Sequence, residues 1–105
     1  MTALRPPPVL VTGPTGTVGG PLVGFLAAHG MTVVAGVRDP GRLGGATEER
    51  ALDLERPETF RAALRGIGRV FLMRPPALAA RHLRPFVEAA AAHGVEHVVF
   101  LSVLG

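Results

Sequence analysis

Three glycines, Gly13, Gly16 and Gly19, stand at G-x-x-G-x-x-G spacing directly after the apolar run Val9-Leu10-Val11-Thr12. An amphipathic stretch follows, then a second apolar run ending at Arg38, so the triplet falls where a strand turns into a helix inside a unit of about thirty residues. That is the layout of a dinucleotide pyrophosphate site. Gly13 permits the tight turn out of the strand. Gly16 lets the backbone approach a pyrophosphate with no side chain in the way, and Gly19 lets the helix pack close to the sheet. The N–H groups of Thr15, Gly16, Thr17 and Val18 then face the anion from a helix N-terminus. The competing reading is an ordinary strand-to-helix turn that binds nothing.

The end of the second apolar run bears on which dinucleotide. A site for NAD(H) places an acid there to accept from the ribose 2′-hydroxyl. Here the residues are Gly36-Val37-Arg38. A guanidinium at that place pairs a 2′-phosphate through bidentate hydrogen bonds, so NADP(H) is the expected cofactor, with NAD(H) the alternative. Arg42 is a second candidate phosphate ligand. Asp39 reads as the start of a turn into Pro40. The competing reading of Arg38 is a solvated surface arginine.

Composition excludes several other chemistries. There is no cysteine, hence no disulfide framework and no thiolate or zinc-thiolate site. All eleven basic residues are arginine, and there is neither Lys nor Tyr. A tyrosine general acid activated by a lysine therefore cannot be built from this chain alone. The arginines are scattered among carboxylates and the net charge is only +3, so no nucleic-acid surface is expected. No apolar run reaches membrane-span length, and Met1 to Pro8 do not read as a signal peptide. The expected setting is cytoplasmic, with no membrane contact. His93 and His97 are four apart, but Gly94 ends the helix between them, so no metal pair is expected. His29 and His82 read as solvated helix residues. Glu48, Glu49, Glu55, Glu58, Glu88 and Glu96 read as surface charges.

The elements that must hold these residues follow from periodicity. Val9 to Thr12 is a buried strand. Val18, Leu22, Phe25 and Leu26 share one helical face closed by Gly30, with Pro21 in the first turn. Thr32 to Val37 is strand two, and Asp39 to Gly45 is a loop. Arg50 to Leu54 reads as strand three and Pro57 to Leu64 as a short helix. Arg69 to Met73 is strand four, broken by Arg74-Pro75-Pro76. Ala79, Leu83, Phe86, Val87 and Ala90 share a helical face ending at Gly94, with Pro85 either a kink or the start. His97 to Leu101 is strand five. Strands alternating with helices predict an α/β fold with a doubly wound parallel sheet of the Rossmann type. Right-handed crossovers predict the order 3-2-1-4-5. Residues 1–8 read as a tail and 9–105 as one domain.

Five ordered pieces are more specific than the glycines alone: Thr12-Gly13-Pro14-Thr15-Gly16-Thr17-Val18-Gly19, Val37-Arg38-Asp39-Pro40, Leu52-Asp53-Leu54, Val70-Phe71-Leu72 and Val98-Val99-Phe100-Leu101-Ser102. Over Val9 to Gly105 the chain resembles the N-terminal part of the NmrA-like branch of the atypical short-chain dehydrogenases and reductases. The resemblance implies an NAD(P)-binding domain followed by a smaller substrate-binding part, in proteins that are reductases, isomerases or redox-sensing regulators. It implies that Asp53 lies near the adenine ring with Leu54 packed beside it; the alternative for Asp53 is an exposed turn residue capping the next helix. It implies that the cofactor touches the loop of Arg74, whose alternative is a surface charge. It places Ser102 near the nicotinamide, as a residue lining the site. The expected activity is that of an NAD(P)H-dependent oxidoreductase, with a non-catalytic NADP(H)-sensing regulator or a truncated reductase remnant as alternatives. The family continues past this point with a sixth strand. Strand five, apolar on both faces, is therefore expected to be an open edge that self-associates or takes a protein partner.

Overall fold

The computed structural model describes residues 7–13, 19–41, 48–73 and 80–101. Within them strands and helices alternate: β1 (Val9–Thr12), α1 (Gly19–Ala28), β2 (Val33–Val37), β3 (Glu48–Ala51), α2 (Phe60–Leu64), β4 (Arg69–Met73), α3 (Leu83–Ala92) and β5 (His97–Leu101). Short 3-10 turns at Pro57–Thr59 and Ala80–His82 lead into α2 and α3. Every strand pairing is parallel, and the order is β3-β2-β1-β4-β5. This is the Rossmann-type sheet anticipated from the alternation.

Parallel strands buried on both faces need apolar residues at successive positions. β1 meets that demand: Val9, Leu10 and Val11 are completely buried. Its side chains alternate between two cores. Leu10 joins Val34, Val70 and Leu72 on the face covered by α2 and α3. Val9 and Val11 join Val33, Leu26 and Met73 on the face covered by α1. The split follows from chain direction. β1 to β2 runs one way along the sheet and β3 to β4 to β5 the other, so right-handed crossovers send α1 to one face and α2 and α3 to the opposite one. Phe60 of α2 meets Phe86 of α3 edge to face, ring centroids 5.1 Å apart, a geometry aromatic pairs favour.

β3 is held to this core by a cation. Arg50 Nη1 donates to the carbonyls of Ala63 at 3.0 Å and Arg65 at 2.7 Å, at the C-terminus of α2. Its Nε pairs Glu48 at 2.7 Å. The helix end thereby finds donors for carbonyls that have no intrahelical partner.

Some elements differ from the sequence-based expectation. Strand three is Glu48–Ala51, starting two residues before and ending three residues before the expected Arg50 to Leu54. Its register is set by pairing with β2, which accommodates charged side chains on a sheet edge. Leu52 still hangs from β2, donating its N–H to the Val37 carbonyl at 2.8 Å. β2 begins at Val33, one residue late, although the Thr32 carbonyl accepts the Val9 N–H. Phe25 and Val87, placed on buried faces by spacing, are 60% and 40% exposed. Leu26 and Leu22 carry the contact of α1, and Phe86, Ala90 and Leu83 that of α3. Pro85 is the third residue of α3, in the first turn, where its missing N–H costs no helical hydrogen bond. Val18, Ala79 and the loop positions 42–45 lie outside the described residues.

Candidate functional site

In an open α/β sheet a ligand binds beyond the carboxyl ends of the strands, where the strand order reverses. Here that place lies between β1 and β4, whose outgoing connections lead to opposite faces. The last residues of the two strands are joined. The Thr12 hydroxyl accepts the Met73 N–H at 2.8 Å and donates to the Met73 carbonyl at 3.3 Å. Thr12 is 3% exposed and is the buried polar residue of the described core. Its hydroxyl supplies both the acceptor and the donor that a ladder neighbour would otherwise give, and the two strands can then part at their tips without leaving Met73 unpaired.

Gly13 follows at once, with φ +67° and an exposed backbone. Side chains rarely tolerate that conformation, and a Cβ there would touch Met73 Cβ at 3.5 Å. The chain therefore turns sharply out of β1 as the sequence required. α1 opens at Gly19. Gly19, Gly20 and Pro21 form the first described turn of this helix, and Pro21 has no N–H to satisfy. These features fit the layout of a pyrophosphate site: a side-chain-free exit from the strand and, further along the chain, a ten-residue helix. Thr15, Gly16, Thr17 and Val18, which complete the loop in sequence, lie outside the described residues.

Arg38 follows β2 directly and is exposed, in a bend that continues through Gly41. It has no ion-pair partner among the described residues. Asp53 stands past the end of β3 and is half-buried, not exposed. Its Oδ1 accepts the Glu55 N–H at 2.9 Å and its Oδ2 faces Arg56 Nε at 3.7 Å. Its own N–H donates to Thr59 Oγ1 at 3.0 Å. The carboxylate thus closes the turn at Glu55, whereas Arg56, at the N-cap of the following 3-10 turn, has no side-chain cap. Leu54 packs against the core beneath α2 and α3. Arg42, Arg74 and Ser102 lie outside the described residues.

Sequence reasoning missed two groups. Thr12 read only as the end of an apolar strand, although a single hydroxyl in such a run, immediately before a turn glycine, is the signal that a polar atom is needed there. Glu49 read as a surface charge, but it is half-buried and its Oε1 accepts the Gly41 N–H at 2.9 Å. Two of the four histidines behave as local caps: His29 Nδ1 and His93 Nδ1 lie 2.9 and 2.8 Å from the carbonyls of Phe25 and Ala89. Among the described residues no group of three or more His, Cys, Asp or Glu could hold a metal ion. No helix there is long and apolar enough to cross a membrane.

Residues 13–105 match a family model described as NAD(P)H-binding. The chain belongs to the NAD(P)H-binding family. The match begins at the turn glycine just past β1 and runs through β2, β3, β4 and β5. An NAD(P)H azoreductase from Xenophilus azovorans is 32% identical over 102 residues, which is 92% of this chain and 36% of that protein. The chain therefore spans about a third of the length of this relative. An NADPH-dependent quinone oxidoreductase from Escherichia coli, solved with NADPH, superposes with a TM-score of 0.80 at 25% identity, over 91% of this chain and 37% of that one. A short-chain dehydrogenase/reductase superfamily protein from Agrobacterium tumefaciens, solved with NAD, gives 0.75 at 30% identity, over 89% and 31%.

Replacing Thr12 by Val in this NAD(P)H-binding chain keeps the shape and removes both hydrogen bonds to Met73. The expected loss of unfolding free energy is about 1–3 kcal/mol, because a buried amide and carbonyl lose their partner. Thr12→Ser is expected to retain most of the stability, and urea denaturation checks both.

Proposed function

We propose that this chain is the dinucleotide-binding part of an NAD(P)H-dependent oxidoreductase of the NmrA-like type, that it prefers NADP(H), and that residues 9–105 form its binding unit. The observation that carries the preference is Arg38: a cation at the end of β2, exposed, where an acid would serve NAD(H). The NADPH complex of the quinone oxidoreductase supports the same direction. In this reading the pyrophosphate lies over Gly13 and Gly16 against the start of α1. The 2′-phosphate meets Arg38, with Arg42 beside it. The adenine reaches Asp53 and Leu54, and Arg74 and Ser102 line the nicotinamide side. Bound NADPH supplies a hydride; the chain's own residues bind and orient the cofactor. The azoreductase and quinone reductase relatives support an electron-poor, reducible substrate. A cytoplasmic setting goes with this reading, supported by the absence of cysteine.

Association through β5 is part of the proposal. β5 is the sheet edge among the described residues, Val99 and Phe100 are 41% and 49% exposed, and Val98 to Leu101 carry no charge. Such an edge is a template for another strand.

Two outcomes are expected. Arg38→Ala should collapse the NADPH-over-NADH affinity ratio by roughly ten- to a hundredfold, equivalent to about 1.5–3 kcal/mol for a charge-assisted pair. Equal affinities for the two dinucleotides in the parent protein, measured by titration calorimetry, would contradict the preference. Val99→Lys should shift the chain toward monomer in light scattering, and a parent that is already monomeric at high concentration would remove the β5 interface.

A further inference from the structure

Glu49 is the one carboxylate that reaches the turn carrying Arg38 among the described contacts. That turn is tied at its start by the residue after β3 and at its finish by β3 itself. At its start, the Val37 carbonyl accepts the Leu52 N–H at 2.8 Å. At its finish, the Gly41 N–H donates to Glu49 Oε1 at 2.9 Å. Gly41 has φ +106°, a conformation that side chains rarely adopt and that glycine takes readily. β3 supplies the tie because Glu49 is in register with Ala35 of β2. Its side chain therefore leaves the sheet on the same face as Ala35, reaching the turn as it folds back from the end of β2.

A flexible arginine on an unanchored loop gives little discrimination between two dinucleotides, because ordering it offsets the gain from pairing. An arginine whose backbone is fixed on both sides loses less on binding. We infer that Glu49 is a positioning residue for the choice of cofactor: by holding the Gly41 N–H it fixes the Arg38–Gly41 turn so that Arg38 meets the ribose 2′-phosphate. The inference rests on the reading of Arg38 as the 2′-phosphate ligand. Glu49 acts through its acceptor oxygen and touches no part of the dinucleotide. Its negative charge works against a nearby phosphate, so acceptor and charge have opposite consequences and can be separated by substitution.

The test is a calorimetric comparison of NADPH and NADH affinities for the full chain and its Glu49→Ala, Glu49→Gln, Arg38→Ala and Arg38→Ala/Glu49→Ala variants. Glu49→Gln keeps an acceptor and should hold the NADPH-over-NADH ratio at or above that of the parent. Glu49→Ala should lower the ratio about fivefold, the worth of one hydrogen bond. The double variant should show no further loss beyond Arg38→Ala, because Glu49 acts only through Arg38. A Glu49→Ala ratio equal to that of the parent, with Arg38→Ala collapsed, overturns the positioning role and leaves the reading of Arg38 intact. A parent ratio that Arg38→Ala does not change overturns both. A rise in the ratio for Glu49→Ala overturns the positioning role in favour of simple repulsion. Amide hydrogen exchange keeps the question decidable if Glu49→Ala folds poorly: the Gly41 amide should be protected in the free parent and in Glu49→Gln, and an unprotected amide in the parent overturns the inference.

Discussion

The structure depends on the complete burial of β1 at the centre of the sheet. A central parallel strand must satisfy its backbone on both edges and its side chains on both faces. Val9, Leu10 and Val11 do so with apolar side chains that divide between two cores. Thr12 does so at the tip with a hydroxyl shared with Met73. Once β1 is fixed, β2 and β4 flank it, the right-handed crossovers place α1 opposite α2 and α3, and the point where the strand order reverses falls beside Thr12. The candidate site is a consequence of this arrangement more than of any one side chain. It arises where two connections leave the sheet for opposite faces and where the chain exits without a Cβ at Gly13.

The parts legible in sequence are those governed by burial. β1, β4 and β5 match the expected Val9–Thr12, Arg69–Met73 and His97–Leu101 because apolar runs bounded by polar or turn residues mark buried strands. The strand order followed from alternation and handedness. Gly13 was legible because a glycine after a buried strand and before a helix leaves few conformations open. The less legible parts obey other constraints. β3 carries Glu48, Glu49 and Arg50, and its position is set by its ladder to β2, which hydropathy does not encode. α1 consists wholly of apolar residues and glycine, so spacing alone does not decide which side faces the sheet, and Phe25 fell on the exposed one.

The candidate site residues divide along the same line. Arg38 could be assigned a place from the length of the β1–α1–β2 unit, a local distance along the chain. The partners of Glu49 and Asp53 could not. Glu49 meets Gly41 eight residues back only because β2 and β3 are in parallel register. Asp53, weighed from sequence between an adenine contact and a helix cap, uses its carboxylate on the turn at Glu55. That turn presents the residues beside the end of β3 to the same edge of the sheet as Arg38. A half-buried carboxylate that organises a loop looks in sequence like any solvated acid.

The central claim is that the described strands carry an adenosine site recognising the 2′-phosphate. Titration calorimetry of the 105-residue chain with 2′,5′-ADP, which has the adenosine and the 2′-phosphate but no nicotinamide, tests it most directly. The account predicts saturable one-site binding with an affinity within about tenfold of that for NADPH. No heat of binding from 2′,5′-ADP under conditions where NADPH saturates the chain would contradict it.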